Sequence, residues 1–353
     1  MILKIASKHG RWNTVIPKMQ QSDPLAPSTD ARATWVLSDG RAGNHRQAQA
    51  LATTLGRAYT DRLIHPTVPW RWAAPRVLPF STKAFAGPVR HVLEGREPAP
   101  QLVIGCGRQA ALATRLLRRR GSHVIQILDP RVNLSAWDAV ILPHHDRREG
   151  PNVVRIHGAL HSMSPAALDA ARSTFSTTLG SLSAPRIAVL LGGDTHKRPF
   201  DAEQALQAVQ ALASLGSLMV STSRRTPAAV AAQLRTLPVL RDHLLWTGES
   251  DAQHAVAHFT NPYAGYLAWA DAIVCSADSV SMLSEAAATT APLYLLGTPG
   301  DDAPSRFAEE LVARGRAQWW SAESPAIAMT PVAPFNGLQT LLTDLRQTPA
   351  FAR

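Results

Sequence analysis

Cysteine, aromatic residues and long apolar runs are all scarce in this chain. Only two of its 353 residues are cysteine, and neither Cys106 nor Cys275 has a CxxC neighbour or a histidine at metal-ligand spacing, which argues against a disulfide framework and a zinc site. Each ends an apolar, strand-like run and reads as a buried thiol in a reducing compartment. Aromatics make up 6% and do not interleave with Lys and Arg, so nucleic acid is a disfavoured partner. No window reaches the roughly 18 consecutive apolar residues of a membrane span. The N-terminal stretch MILKIASKHGRWNTVIPKMQ lacks the apolar centre of a secretory signal. Acidic residues are in deficit as well: 26 Asp and Glu face 36 Lys and Arg, a formal net charge of +10. That balance favours anionic partners, either phosphorylated substrates or acidic lipid headgroups. The expected location is cytoplasmic, with peripheral contact at the inner face of a membrane open to so basic a surface.

A composition of 45% hydrophobic and 18% charged residues is that of a globular protein. A single core stops growing above roughly 250 residues, so two domains are expected. Residues 1–33 lack periodicity and read as a basic, loosely structured arm. From Thr34 on, short apolar runs alternate with Ala- and Leu-rich segments, the rhythm of a parallel α/β sheet. Strands are expected at 34–37, 102–104, 123–128, 139–142 and 153–156, followed by a helix over 164–180. The turn-rich Ser181-Leu-Ser-Ala-Pro185 sets the expected boundary between a 34–180 domain and a 181–353 domain, whose last helix is placed to pack back on the first. Strands are then expected at 186–191, 218–220, 243–246, 272–275 and 293–296. The Pro-, Trp- and Arg-rich stretch from Pro66 to Pro100 reads either as an insertion beside a ligand cleft or as a Trp-anchored surface excursion.

In open α/β sheets ligands gather at the carboxyl ends of the strands, and five loops there carry chemistry. Ser38-Asp-Gly-Arg-Ala-Gly-Asn-His45 combines Gly40 and Gly43 with two titratable side chains, Asp39 and His45, either of which suits a general base. It lacks the GxGxxG and GK[ST] patterns, and an ordinary glycine turn with an Asp cap fits it as well. Gly105-Cys-Gly-Arg108 offers Arg108 to a phosphate, although tight strand–helix packing also calls for Gly105. Gly192, Gly193, Asp194, Thr195, His196 and Lys197 form a loop suited to phosphate oxygens. Thr222, Ser223, Arg224 and Arg225 make either a helix cap or an anion nest. Last, with a helix beginning near Asp278 or Ser279, Asp278, Ser281 and Glu285 fall on one face. Glu285 is then placed to accept from a vicinal diol beside the free amides of the first turn.

These segments together resemble a known family. SDGRAGNHRQAQAL (38–51), LLGGDTHKRPF (190–200), STSRRTP (221–227) and NPYAGYLAWADAIVCSADSVSMLSEAAATTAPLYLLG (261–297) resemble the ELM-type mitochondrial fission family of plants and bacteria. More distantly, the layout is similar to the two-domain GT-B glycosyltransferases, among them the bacterial enzyme that adds N-acetylglucosamine to the lipid-linked peptidoglycan precursor. The resemblance implies a GT-B-like fold, two Rossmann-like parallel-sheet domains facing a cleft. It implies a nucleoside-diphosphate sugar as substrate, UDP-linked donors among the candidates, with no tightly bound cofactor and no metal. Glu285 would hold the ribose hydroxyls, and Ser276, Asp278, Ser279, Ser281 and Met282 would surround the diphosphate, with Asn261 and Tyr263 among the ligand contacts. The first loop departs from the transferase pattern, because His45 is displaced by one position. The acceptor would be a cell-envelope lipid or polysaccharide. A catalytically silent recruitment protein and a nucleotide-sugar epimerase stand as alternatives.

Overall fold

A computed structural model describes residues 23–78, 81–144, 146–195, 198–248, 261–323, 326–335 and 337–352. The strands are β1 (Thr34–Ser38), β2 (Thr60–Leu63), β3 (Leu102–Cys106), β4 (His123–Ile127), β5 (Ala139–Pro143), β6 (Val153–Ile156), β7 (Arg186–Leu191), β8 (Ser217–Thr222), β9 (Leu244–Trp246), β10 (Ala272–Ser276), β11 (Leu293–Leu296) and β12 (Ala317–Trp319). The helices are α1 (Ala42–Thr54), α2 (Trp70–Ala73), α3 (Gly87–Leu93), α4 (Arg108–Arg118), α5 (Pro165–Thr174), α6 (Ser176–Leu179), α7 (Ala202–Ala213), α8 (Ala228–Thr236), α9 (Tyr263–Trp269), α10 (Val280–Ala287), α11 (Ala303–Ala313) and α12 (Gly337–Gln347).

Central strands such as TWVLS, LVIGC and AIVCS are buried along their whole length, which is why they read as short unbroken apolar runs: helices cover both faces of a parallel sheet. Alternate side chains serve opposite faces. On β1, Val36 enters one core with Leu51, Ile104 and Ile125, while Trp35 and Leu37 enter the other with Val103, Leu112 and Trp137. Each such Val, Leu or Ile contributes about 1.5–3 kcal/mol by leaving water.

All observed pairings are parallel, and they build two six-stranded sheets, β2-β1-β3-β4-β5-β6 and β12-β11-β10-β7-β8-β9. Strand order in the first is the flavodoxin-like arrangement, and in the second the Rossmann arrangement. This is the GT-B-like pair of Rossmann-like α/β units expected from the sequence. In each sheet the chain winds outward on one side of its first strand and then resumes on the other. The resulting switch points lie between β1 and β3 and between β7 and β10.

The segment expected as one helix over 164–180 is two, broken at Phe175, whose backbone leaves helical geometry (φ −100°, ψ 13°). The break turns Phe175 and Leu179 into the core under the second sheet. α12 crosses in the other direction, with Leu341 and Leu345 in the first unit's core. Part of the stretch expected as a loose arm is packed. Leu25 is buried in the first core, and Arg57, itself buried, donates to the carbonyls of Pro24 and Ala26 at 2.8 and 2.7 Å and to Thr34 Oγ1 and Gln101 Oε1 at 2.7 Å each. The Pro66–Pro100 excursion is anchored by buried Trp70, Phe85, Val89 and Val92.

The crossing from the first unit to the second runs through His157 to Ser164. Gly158 takes φ +77°, and a Cβ there would stand 2.3 Å from Ser284 Oγ and 2.6 Å from the Phe307 ring, so only glycine fits. Next to it the Ala159 amide donates to Ser284 Oγ at 2.9 Å. Further along, His161 is buried, its Nδ1 has no hydrogen-bond partner among the described residues, and burial lowers its pKa to about 4. The unfolded chain therefore takes up a proton near pH 6.5 that the folded chain refuses until about pH 4. Stability from this group is complete above pH 6.5 and falls as the pH drops toward 4, by about 1.4 kcal/mol per pH unit. Urea denaturation between pH 7 and 4.5 should show this slope in the wild type and lose it in His161→Leu.

Candidate functional site

Both switch points are lined by the loops that the sequence singles out. At the first, the buried Ser38 Oγ lies 2.9 Å from His45 Nδ1 and accepts from the Gly40 amide at 3.3 Å. The other ring nitrogen, Nε2, is 3.3 Å from Asp61 Oδ1, and Gln49 donates to Asp61 Oδ2 at 2.9 Å. Serine and aspartate thus bracket and orient the imidazole. Asp39 is committed locally. Its Oδ1 accepts from the Asn44 side chain and the Arg41 amide, both at 3.3 Å, and its Oδ2 stands 3.6 Å from Arg41. Gly43 sits exposed in the first turn of α1.

The neighbouring β3–α4 loop packs directly on this one. Gly107 has φ +86°, and a Cβ there would lie 2.5 Å from the Asn44 amide nitrogen. A Cβ on Gly105 would lie 2.7 Å from the Thr114 methyl, so close strand–helix packing accounts for this glycine. Arg108 is exposed at the first residue of α4. Both cysteines are free and buried, and burial pushes both thiols up. Neither suits a nucleophile.

At the second switch point the glycine loop is satisfied from within. The Gly192 amide donates to Ser276 Oγ at 2.7 Å and the Gly193 amide to Asp278 Oδ2 at 2.8 Å. Arg225 adds a contact to the same Oδ2 at 3.1 Å and donates to the carbonyls of Gly193 and Asp194 at 3.2 and 2.9 Å. The anion in this nest is therefore the Asp278 carboxylate. Asp194 accepts from the Phe200 amide and Thr195 from the Arg198 amide, two turn-closing bonds; His196 and Lys197 lie outside the described residues. Ser223 accepts from the Arg225 amide at 3.1 Å, Thr222 ends β8 half-buried, and Arg224 is exposed.

Helix α10 begins at Val280, with Ser279 as its N-cap accepting from the Met282 amide. Asp278 therefore precedes the helix and points at the glycine loop, not along a shared face with Ser281 and Glu285 as expected. The serine takes the capping role, which leaves the aspartate in the turn between β10 and α10. Ser281 and Met282 are half-buried in the first turn. One turn on, Glu285 is buried and accepts from the Tyr263 hydroxyl at 2.8 Å. Tyr263 opens α9, and its amide donates to Asn261 Oδ1 at 3.0 Å. Burial pushes the Glu285 carboxyl above the ordinary range, opposed by the Tyr263 hydrogen bond and the charge of Arg46. The Tyr263 hydroxyl is also driven up, first by burial and then by the Glu285 charge.

Arg46, on the first unit, lies within electrostatic range of this pair. It stands exposed on α1, next to His45, and its charge acts on both Glu285 and Tyr263. Sequence reasoning missed Arg46, although it adjoins His45, and missed Asp61, which lies in a strand too polar to be recognised. Removing the Asp278 carboxylate strands the Gly193 amide and the Arg225 guanidinium. Asp278→Ala should accordingly lower unfolding free energy by about 1–3 kcal/mol in urea titrations.

A sequence profile described as mitochondrial fission ELM1 matches residues 42–343. Mitochondrial fission protein ELM1 of Arabidopsis thaliana is 32% identical over 254 residues, covering 63% of this chain and 56% of the plant protein; the match thus spans little more than half of that relative. An uncharacterized protein, RP120, of Rickettsia prowazekii (strain Madrid E) is 27% identical over 327 residues, covering 79% of this chain and 87% of its own. Among solved structures, a putative UDP-N-acetylglucosamine 2-epimerase from Listeria monocytogenes aligns with a TM-score of 0.46 at 10% identity, covering 89% of this chain and 95% of that one. MurG of Acinetobacter baumannii aligns at 0.44 and 16% identity, covering 90% and 92%. With the profile spanning most of its length, the chain belongs to the mitochondrial fission ELM1 family.

Proposed function

We propose that the protein binds a nucleoside-diphosphate sugar on its second unit and transfers the sugar to an acceptor held against the first. The observation that carries this reading is the placement, at the switch points of two parallel sheets, of a buried carboxylate with a hydrogen-bonded tyrosine beside the start of α10 on one unit and of a cationic, imidazole-bearing loop on the other. Glu285, fixed by Tyr263, accepts from the ribose hydroxyls. The first turn of α10 and the exposed Arg224 face the diphosphate, where backbone amides and a guanidinium offset the charge of the leaving group. Arg46, whose charge acts on Glu285 across the cleft, adds to that field.

In the transfer step an acceptor oxygen bonds to the anomeric carbon, the bond from that carbon to the diphosphate oxygen breaks, and the diphosphate leaves with the electron pair. The acceptor proton passes to a base on the first unit. His45 would be that base, a role supported by the contacts of its ring with Ser38 and Asp61, with Nε2 turning from Asp61 to the acceptor hydroxyl. Acceptors of the cell-envelope lipid or polysaccharide class suit the basic surface of the protein.

One observation favours a second, non-catalytic reading. The Gly193 amide and Arg225, an apparent phosphate grip, are already closed by Asp278. A recruitment protein built on a nucleotide-sugar fold would keep such a closed loop and tolerate the loss of Glu285.

Thermal-shift measurements with a panel of nucleoside diphosphates and nucleotide sugars distinguish the two. A ligand at a hundredfold excess over Kd stabilises the folded state by about 2.7 kcal/mol, a rise of several degrees in Tm. The wild type should respond to a nucleotide sugar, and Glu285→Gln, which keeps the shape of the side chain, should lose most of the response. A flat panel in the wild type would sink the proposal. Release of nucleoside diphosphate from the responding donor then reports transfer, and His45→Ala should slow it at least a hundredfold.

A further inference from the structure

The most exposed large apolar side chains among the described residues are Trp72 (72%), Leu63 (61%), Val68 (57%), Val77 (51%) and Val239 (37%). Four of the five fall between positions 63 and 77. Single exposed hydrophobics need no explanation, whereas a concentration of them marks a contact surface.

The segment that bears them is held firmly. Trp70 is buried in the first unit's core, the Thr67 amide donates to the Ala84 carbonyl at 2.9 Å, and Arg115 on α4 donates to the Pro75 carbonyl. Trp70 and Trp72 therefore do opposite things on the same short α2: one anchors it, and the other stands in solvent on that anchored base.

Charge completes the pattern. From Arg62 to Leu93 the chain contains no Asp or Glu, while Arg62, Arg71, Arg76, Lys83 and Arg90 all fall there. Arg71, Arg76 and Lys83 are exposed, and Arg90 pairs with Glu94 at 2.7 Å. An indole and three branched aliphatic side chains on a stretch whose only full charges are cationic match the interface of an anionic bilayer, where apolar tips enter the headgroup layer and guanidiniums meet lipid phosphates. Single-stranded RNA would call for several stacking aromatics, and here aliphatic tips outnumber the one exposed ring.

We propose that the 63–77 segment seats the protein on an anionic lipid surface through Leu63, Val68, Trp72 and Val77, with Arg71 and Arg76 on the phosphates. The seat adjoins the cleft. Leu63 pairs in register with Ser38, and its Cδ2 lies 4.0 Å from where a Cβ of Gly40 would stand. On the transfer reading above, on which this consequence alone rests, the docked protein presents its first loop at the lipid surface and draws its acceptor from the membrane.

The test is co-sedimentation of the full chain with phosphatidylcholine vesicles, with and without about 30 mol% phosphatidylglycerol. Wild type should sediment with the anionic vesicles and remain in solution with the neutral ones. Two apolar pairs, Trp72→Ser with Val77→Ser and Leu63→Ser with Val68→Ser, and the charge pair Arg71→Glu with Arg76→Glu, should each weaken partitioning about tenfold or more. Arg241→Glu, an exposed cation on the second unit, should stay within about twofold of wild type, since surface charge away from the seat adds little. All substitutions are at exposed positions, and melting temperatures confirm folding; the two apolar pairs serve as independent versions of the same test. Failure of wild type to sediment, full binding by the patch variants, or capture by an RNA oligonucleotide in place of vesicles would each overturn the proposal. Vesicle binding by a protein that answers to no nucleotide would separate this surface from the transfer reading.

Discussion

Parallel pairing commits every strand of a sheet to one direction, so every strand-to-helix loop leaves by the same edge. With two such sheets in one chain, the loops after β1, β3, β7, β8 and β10 collect at two edges, and Arg46, on the helix after β1, lies within electrostatic range of Glu285, on the helix after β10. The clustering of polar side chains in an otherwise apolar molecule follows from that constraint. Reversing a single strand would send its loop to the opposite end and take its side chains out of the site.

Within the second unit the geometry is held by α10. Ser279 caps its start. Its far end is gripped by Arg316, which is buried and donates to the carbonyls of Ala286, Ala287, Thr289 and Ala291 at 3.0–3.2 Å. A cation at a helix C-terminus suits the macrodipole, and although burial lowers the Arg316 pKa to about 10, it remains charged at neutral pH. Midway, Ser284 accepts from Ala159 in the crossing segment. A helix of eight residues tied at both ends and at its middle has little freedom to slide. It can therefore present Glu285 to Tyr263 and the first unit at a fixed height.

Legibility in the sequence followed burial. Ten of the strands were visible as apolar runs: eight are interior and buried nearly throughout, and the edge strands β6 and β9 keep apolar sequences, VVRI and LLW, although they are only partly buried. The two that escaped notice, β2 with TDRL and β12 with AQW, form sheet edges and keep polar side chains half in water, so neither periodicity nor composition marks them. Asp61, the partner of His45, sits in one of these and was lost with it. The site loops were legible as glycine turns at strand ends, but the occupants of their amides were not. Sequence spacing offered Gly193 to a phosphate, whereas the fold brings Asp278 to it from a position 85 residues away. Arg46 acts across the cleft, a relation between units that no local pattern encodes.

The placement of α12 ties the two halves of the chain together in time as well as in space. Leu341 and Leu345 complete the core beneath the first sheet, alongside Val36, Ile104 and Ile125, yet they follow the entire second unit in the sequence. During synthesis the first sheet can form its hydrogen bonds, but one flank of its core stays open to water until residue 345 has left the ribosome. The first unit's core is thus completed by residues made only after the whole second sheet.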